Sequence, residues 1–479
     1  MNSSPSHLQK ILGRREVLGI AFGAMIGWSW VVLSGEMIIR AGTIGSLLSL
    51  LLGAVMVLLV GLTYAELTPA LSRAGGELIF TFVGIGPRAS FLCGWALVLA
   101  YFSVCAFEAV ALPLVAQYMF PNLQSEHLYT LQGWDISWGQ ILLGSGGALV
   151  IGIVNYFGLR LASFLQWLAS LLMLLVGLSF FGAGNLNGEW GNLTPHFTNW
   201  NGFFNVVIMT PFLFLGFDVI PQLAEEIKLP AASIGKLILF SLLLALGWYE
   251  LVQWTVGLSL SAEIRTSSDL ATADAMTAAY NSPLAGQLLV SAGLLGIITS
   301  WNAFFIGATR LIFAMSRAKM LPSIFCKLHP RYKSPIAAII LMTVPTMLAP
   351  FIGRPSLVWL VDAGSAAAVV GYIFVAISFL AIHKKYPLLP RPYQLAAPRL
   401  VGILALLSTI SFGLLYLPWS PSALVWPYEW AIVLGWSTLG ALLVLIRGKQ
   451  LSKRDKEDQK SYILGNYEHV LLASTPKKN

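Results

Sequence analysis

Two carboxylates stand in stretches of this chain that are otherwise apolar enough to cross a membrane. Asp218 lies in Pro211-Phe-Leu-Phe-Leu-Gly-Phe-Asp-Val-Ile-Pro-Gln-Leu-Ala-Glu-Glu-Ile-Lys-Leu-Pro230, and Glu108 lies inside the run 89–119, shortly before Pro113. A charged side chain at the bilayer centre costs at least about 2.5 kcal/mol, so each must face a protein interior or a wet cavity. Gly216 lets its helix open beside Asp218. An opened helix frees N–H and C=O groups that lipid cannot satisfy, so the open backbone must line a cavity or meet a ligand. Phe214, Leu215, Gly216, Phe217 and Asp218 therefore read as half of a binding site.

The other half is Gly23-Ala-Met-Ile-Gly-Trp-Ser-Trp-Val-Val-Leu-Ser-Gly35, where glycine and serine again interrupt an apolar run. Paired, glycine-interrupted hydrophobic segments in two halves of one chain point to a secondary transporter whose substrate binds between discontinuous helices. Glu108 has two readings. It either titrates during a transport cycle or ties two helices together by hydrogen bonds. Glu66, Arg73 and Glu77 cluster around the helix-breaking Pro69 and Gly75-Gly76, and are read as a structural ion-pair group on one membrane face. Glu250 is read as structural, and Asp362, Gly364 and Ser365 as part of an outer gate. Gly296, Thr299, Ser300 and Asn302 either line a cavity or serve as packing groups bonded to their own helix.

The elements that must position these residues follow from composition. The chain has 479 residues, of which 57% are hydrophobic and 10% charged, with a mean hydropathy of +0.76. A soluble domain carries about 25% charged residues, so this is an all-α polytopic membrane protein. Apolar runs of about 20 residues give about twelve spans, near 17–39, 44–66, 89–119, 137–157, 161–183, 202–226, 233–258, 284–313, 335–352, 356–382, 399–417 and 428–446. The first is longer than a signal-peptide core and has no small-residue cleavage site, so no cleaved leader is expected. Trp134 and Trp138 are placed as interfacial anchors.

The net charge of +8 is not a nucleic-acid footprint, because all but three of the 29 lysines and arginines fall on the side that holds both termini. Only Arg40, Arg265 and Arg354 lie opposite, which puts both termini in the cytoplasm by the positive-inside rule. Cys93, Cys105 and Cys326 have no spacing that suggests a disulfide framework or a metal site. No nucleotide loop, metal-ligand cluster or histidine-based catalytic set argues for an enzyme. A channel or solute receptor remains as the other class, separable from a carrier by saturation and counterflow.

Four blocks together resemble the amino acid, polyamine and organocation (APC) superfamily. They are Ala24-Met-Ile-Gly-Trp-Ser-Trp-Val31; Tyr64-Ala-Glu-Leu with Gly75-Gly-Glu77; Gly216-Phe-Asp with Glu225-Glu-Ile-Lys-Leu-Pro230; and Arg310-Leu-Ile-Phe-Ala-Met-Ser-Arg-Ala-Lys-Met-Leu-Pro322 with His329-Pro330 and Ser334-Pro335. While the charge distribution makes 1–16 a cytoplasmic segment and 447–479 a cytoplasmic tail whose charged composition reads as disordered, the resemblance implies two inverted five-helix repeats at 17–184 and 202–382 followed by two further helices within 399–446. It implies that backbone N–H groups near Ile26, Gly27, Trp28 and Ser29 receive a substrate carboxylate. Carbonyls near Phe214 and Leu215 receive its ammonium, and Phe217 and Trp30 close over it.

The chain departs from that pattern at Trp28 and Trp30, where many relatives have small residues. Aligning Asn155-Tyr-Phe-Gly with the family motif also puts Met173 where several proton-coupled or ion-independent members carry a lysine. Two couplings then stand side by side. Sodium would bind carbonyls of Gly23 and Ile26 and hydroxyls of Thr299 and Ser300, since it is a hard cation that wants oxygen; a proton would travel on Glu108. No other cofactor is expected, and the expected partners are a small amino acid or amine and the lipid bilayer, with the oligomeric state left open. Two anions in the site favour a zwitterion or a cationic amine over an acidic amino acid, and polyamine or amine exchange is the alternative activity.

Overall fold

The computed structural model describes residues 10, 12–73, 75–119, 126–157, 160–332 and 334–448, with 463, 470, 471 and 474. Most of the expected terminal segments 1–16 and 447–479 thus lie wholly or partly outside the described residues.

Long apolar runs become long helices because lipid leaves the backbone no partner but itself. The first span is split into α1 (Arg14–Met25) and α2 (Ser29–Ala41), followed by α3 (Thr43–Ala70), α4 (Glu77–Gly84) and α5 (Pro87–Met119). A hairpin of β1 (His127–Leu131) and β2 (Trp134–Ser137) leads into α6 (Trp138–Phe157) and α7 (Arg160–Asn187). The sixth span is again split, into α8 (Trp200–Leu213) and the short α9 (Val219–Gln222). The remaining helices are α10 (Ala231–Ser259), α11 (Ala262–Ser267), α12 (Ala271–Tyr280), α13 (Pro283–Arg317), α14 (Ile336–Leu348), α15 (Ser356–Lys385), α16 (Pro398–Leu415) and α17 (Tyr428–Gly448).

Among the described residues ten segments are long and apolar enough to cross a membrane, with Arg14–Ala41 counted as one. The split segment α8–α9 and the shorter Ile336–Phe351 supply the other two expected spans. Among the described residues the only sheet is the two-stranded hairpin. The chain is an all-α polytopic membrane protein.

Burial sorts the helices into an inner and an outer set. In Arg14–Ala41 89% of the most apolar window is buried, against 11% in Tyr428–Leu445. Apolar side chains such as Leu142, Val150, Leu400 and Leu407 are exposed on α6 and α16. Such a band is stable only against lipid. Inside it, α5 packs on α13 and α15, α1 on α7 and α13, and α3 on α8 and α10.

Three features differ from the sequence reading. The stretch after the third span forms the hairpin, and Arg354 lies over the Trp134 ring at 4.2 Å. Two short helices, α11 and α12, fold between the seventh and eighth spans, and α12 packs on α2, α10 and α13. Glu66, Arg73 and Glu77 take three separate partners. Glu66 binds His383 (2.8 Å) and Arg391 (3.0 Å), Arg73 meets Glu225 (3.6 Å), and Glu77 accepts from Gln222.

Candidate functional site

The first break lies where α1 stops at Met25 and α2 restarts at Ser29. Ile26 still donates to Phe22 (3.0 Å) and Val31 donates to Trp28 (2.9 Å), so only the turn around Gly27 is open. The freed Met25 carbonyl accepts from the Tyr249 hydroxyl (2.7 Å), and Ser29 Oγ lies 2.9 Å from the same hydroxyl. Since Tyr249 donates to Met25, Ser29 is the donor to Tyr249. The Glu108 carboxyl stands beside the backbone N–H of Trp28 and the hydroxyl of Ser300. A Cβ on Gly27 would fall 2.5 Å from Glu108 Oε1 and 2.5 Å from Ser300 Oγ. A glycine is thus what lets α5 and α13 bring a carboxyl and a hydroxyl against the open turn. The Trp28 N–H heads α2, a helix start that favours an anion. The Glu108 carboxyl stands at this position, with its Oε2 left without a hydrogen-bond partner.

The second break is closed differently. Phe214 is the last helical turn of α8, Gly216 has φ +130°, and Asp218 caps α9. Asp218 Oδ1 accepts from the Gly216 N–H (2.8 Å), two residues back. This is the local loop that an aspartate makes when a glycine ahead of it turns the chain. Asp218 Oδ2 has no partner. The Phe212 N–H donates to Ser365 Oγ (3.1 Å), so α15 supports the end of α8 just ahead of the break.

The two breaks touch. A Cβ on Gly216 would lie 2.7 Å from Ala24 Cβ and 2.9 Å from Met25 N. Every residue from Ile26 to Trp30 and from Phe214 to Asp218 is buried. Trp28 lies against Gly293 of α13, and Trp30 meets Trp248 edge-on at 5.1 Å. Phe217 packs between Tyr64 (5.1 Å) and Tyr372 (5.7 Å).

The four expected sodium ligands separate. Thr299 Oγ1 reaches the Gly23 carbonyl at 3.5 Å while donating to its own Gly296 carbonyl at 3.0 Å. Ser300 instead faces Glu108, and Ile26 continues α1 through its N–H. The oxygens of Gly23 and Thr299 suit a hard cation, and Met173 adds no positive charge beside them. A Cβ on Gly296 would fall 2.6 Å from the Gly27 carbonyl and 2.8 Å from Met173 Sδ, which places Met173 at the first break.

Tyr249, Gln166 and Ser170 had no sequence signal, because nothing local marks which faces of α7 and α10 turn inward. Gln166 donates to the Thr299 carbonyl (3.3 Å) and Ser170 to that of Gly19 (3.4 Å). Of the remaining expectations, Asp362 is buried with Glu429 and Arg40 as charged neighbours. Glu250 Oε1 has no partner.

On the face that carries Leu12, the site is covered. Leu12 exchanges backbone hydrogen bonds with Glu226 and Lys228 (both 2.9 Å), and Arg310 meets Glu226 at 3.5 Å. On the opposite face a cavity of about 500 Å³ is lined by Val110, Pro113, Gln117, Asp135, Asp269 and Arg354, among others. None of the break residues lines it.

A sequence profile described as "Amino acid permease" matches residues 12–439. The chain is 27% identical to the branched-chain amino acid permease BcaP of Bacillus subtilis over 435 residues, 87% of this chain and 90% of that protein. It is 28% identical to mouse cationic amino acid transporter 4 over 83% of this chain and 63% of the relative. It is 24% identical to the aspartate-proton symporter of Bacillus subtilis over 85% of this chain and 79% of the relative. These relatives are transporters, which removes the enzyme reading. With the matched region running from the first span through the last, the chain belongs to the amino acid permease family of the APC superfamily.

Proposed function

We propose that this protein is a secondary active transporter of an amino acid or related amine, working by alternating access, with substrate held where the two breaks meet. The observation that carries this reading is the contact of Gly216 with Met25, which joins two opened helices in a fully buried core. The groups assigned to the substrate are the backbone of Ile26, Gly27, Trp28 and Ser29 and the carbonyls of Phe214 and Leu215, with Gly216 and Asp218 beside them. Trp30 and Phe217 are the aromatic walls. Glu108 stands against the open turn where a substrate carboxylate would bind, so an amino acid must displace it, whereas an amine lacking a carboxylate need not. That occupancy is the specific reason to keep polyamine or amine exchange as the second reading.

Two inverted repeats, 17–184 and 202–382, are part of the same proposal, with 399–446 added. Burial supports it: the third helix of each half, α5 and α13, has 83% and 78% of its apolar window buried. The basic face is assigned to the cytoplasm with both termini. Coupling runs through a proton on Glu108 or through sodium between the Gly23 carbonyl and Thr299. The relatives' names cover branched-chain, cationic and acidic substrates, and the two carboxyls here favour a zwitterion or a cation.

The test is uptake by the purified protein in proteoliposomes, with counterflow and a radiolabel competition screen, repeated with sodium or choline and with or without a pH gradient. Saturable counterflow of an amino acid or amine is expected. Conductance that does not saturate would replace the carrier with a channel.

A further inference from the structure

Glu77 is a buried carboxyl that the transport reading leaves without a task. It opens α4 at zero exposure. Gly76 just before it has φ +36°, and a Cβ there would fall 2.6 Å from Pro221 Cβ and 3.4 Å from Gln222 N. Only glycine allows α4 to start so close to α9. The Gln222 amide donates to Glu77 Oε2, so Glu77 is bound to the last residue of the four-residue helix that Asp218 caps.

The surroundings of this pair are polar and incompletely bonded. Glu77 Oε1, Asp218 Oδ2, Gln222 Oε1 and the hydroxyls of Tyr64 and Tyr372 are buried and lack hydrogen-bond partners. Tyr64 from α3 is fully buried, stands beside both carboxyls, and meets Tyr372 of α15 at 6.3 Å. Tyr101 of α5 reaches the Asp218 carbonyl at 3.5 Å, and the Cys93 thiol, also on α5, lies near Glu77 while donating to Gly371 (3.7 Å). Among the described residues no lysine, arginine or histidine contributes to the charge around either carboxyl. The nearby basic side chains Arg73 and Arg310 meet Glu225 and Glu226 instead.

Two desolvated carboxylates with no counter-charge repel too strongly to ionise together, so the site must hold a proton or a cation. The donors present decide which. An amide N–H from Gln222 meets Glu77, and the Gly216 N–H meets Asp218. N–H groups pointing at the carboxyl oxygens are the wrong polarity for a metal shell and the right one for a hydrogen-bonded acid pair.

We propose that Glu77 and Asp218 form one acid pair holding a single proton, with α9 as the rigid link between that proton and the second break. The link to transport rests on the function proposed above; the shared proton does not.

The experiment is an infrared pH titration of the purified protein in lipid nanodiscs, in the Glu108→Gln background to remove that carboxyl. A protonated-carboxyl band lost by either Glu77→Gln or Asp218→Asn is expected. In Asp218→Asn the remaining Glu77 should titrate about one to two pH units lower, because its like-charged neighbour is gone. Two bands, each removed by only one substitution, or a band indifferent to both, would overturn the pair. If Glu77→Gln does not fold, Asp218→Asn alone carries the test, and a Glu77 titration that does not move in it refutes the proposal equally. Loss of the band on exchanging choline for sodium would make this a cation site and also overturn it. Uptake by the same samples separates the cases: a shared band in protein that carries no solute sinks the transport reading and leaves the pair standing.

Discussion

The first and second breaks are both opened by glycine in an apolar helix, yet they are satisfied by different means. Asp218 closes the second break from two residues away, through the Gly216 N–H. The first is closed from a distance, by Glu108 and Ser300 standing against Gly27 and by Tyr249 at Met25. A locally closed break can keep its shape while neighbouring helices move. One closed by three other helices changes whenever any of them shifts, so the first break is the one suited to sense a cycle.

The largest effect that would sharpen this contrast is expected at Gly216. Gly216→Ala forces a side chain into a left-handed backbone position and against Ala24 and Met25, costing about 3 kcal/mol. Thermal unfolding of the detergent-solubilised protein should fall and uptake should be lost. Gly27→Ala needs no left-handed backbone, and of its nearest atoms Glu108 Oε1 and Ser300 Oγ can rotate away while Ser300 Cβ at 2.6 Å must shift with α13, so a smaller cost of about 2 kcal/mol is expected. Equal losses would erase the distinction between a rigid and an adaptable break.

Next in size is Asp218→Asn, which weakens the hydrogen bond donated by the Gly216 N–H, costs about 1.5 kcal/mol of stability and is expected to lower substrate affinity. Binding to well-folded protein measures it. Affinity and transport unchanged across pH would take Asp218 out of the site. At the other break, Glu108→Gln should flatten the pH dependence of uptake while retaining a side chain of the same shape. A variant profile that overlays the parent would make Glu108 a helix tie.

Tyr249→Phe removes the hydroxyl shared by Met25 and Ser29 and should cost about 1 kcal/mol, read as a lowered melting temperature. The smallest change is expected from Thr299→Ala, under about 1 kcal/mol in stability, because its hydroxyl already bonds within its own helix. Its value lies in the ion: a raised sodium requirement supports sodium at the first break. Uptake indifferent to replacing sodium with choline at fixed pH removes that ion whatever Thr299→Ala does.

The legibility of the site follows the same contrast. Gly216 beside Asp218 was readable because both the opening and its closure lie within three residues. Glu108 was readable as costly but not as the partner of Trp28, since 80 residues of chain separate them and only helix packing sets the meeting. Ser300 was assigned to an ion with Thr299, yet adjacent positions on a helix point about 100° apart, and α13 turns one toward Gly23 and the other toward Glu108. Glu66, Arg73 and Glu77 looked like one cluster because they are near in sequence; the turn at Gly75-Gly76 sends them to α15, the α9–α10 loop and α9.

Apolar run length, the one-sided distribution of basic residues and the two glycine breaks were fixed by sequence alone, because a bilayer makes each a local requirement on a short stretch of chain. That the chain is an all-α membrane protein needed nothing more. Only the tertiary structure decided which faces of α5, α7, α10 and α13 turn toward the breaks, and hence that Glu108, Tyr249 and Met173 surround the first. It also decided that Glu77 meets Gln222 of α9. Helices this apolar all round carry almost no rotational signal in their sequence, so their inward faces are set by close packing of small residues and by the few polar groups that must find one another.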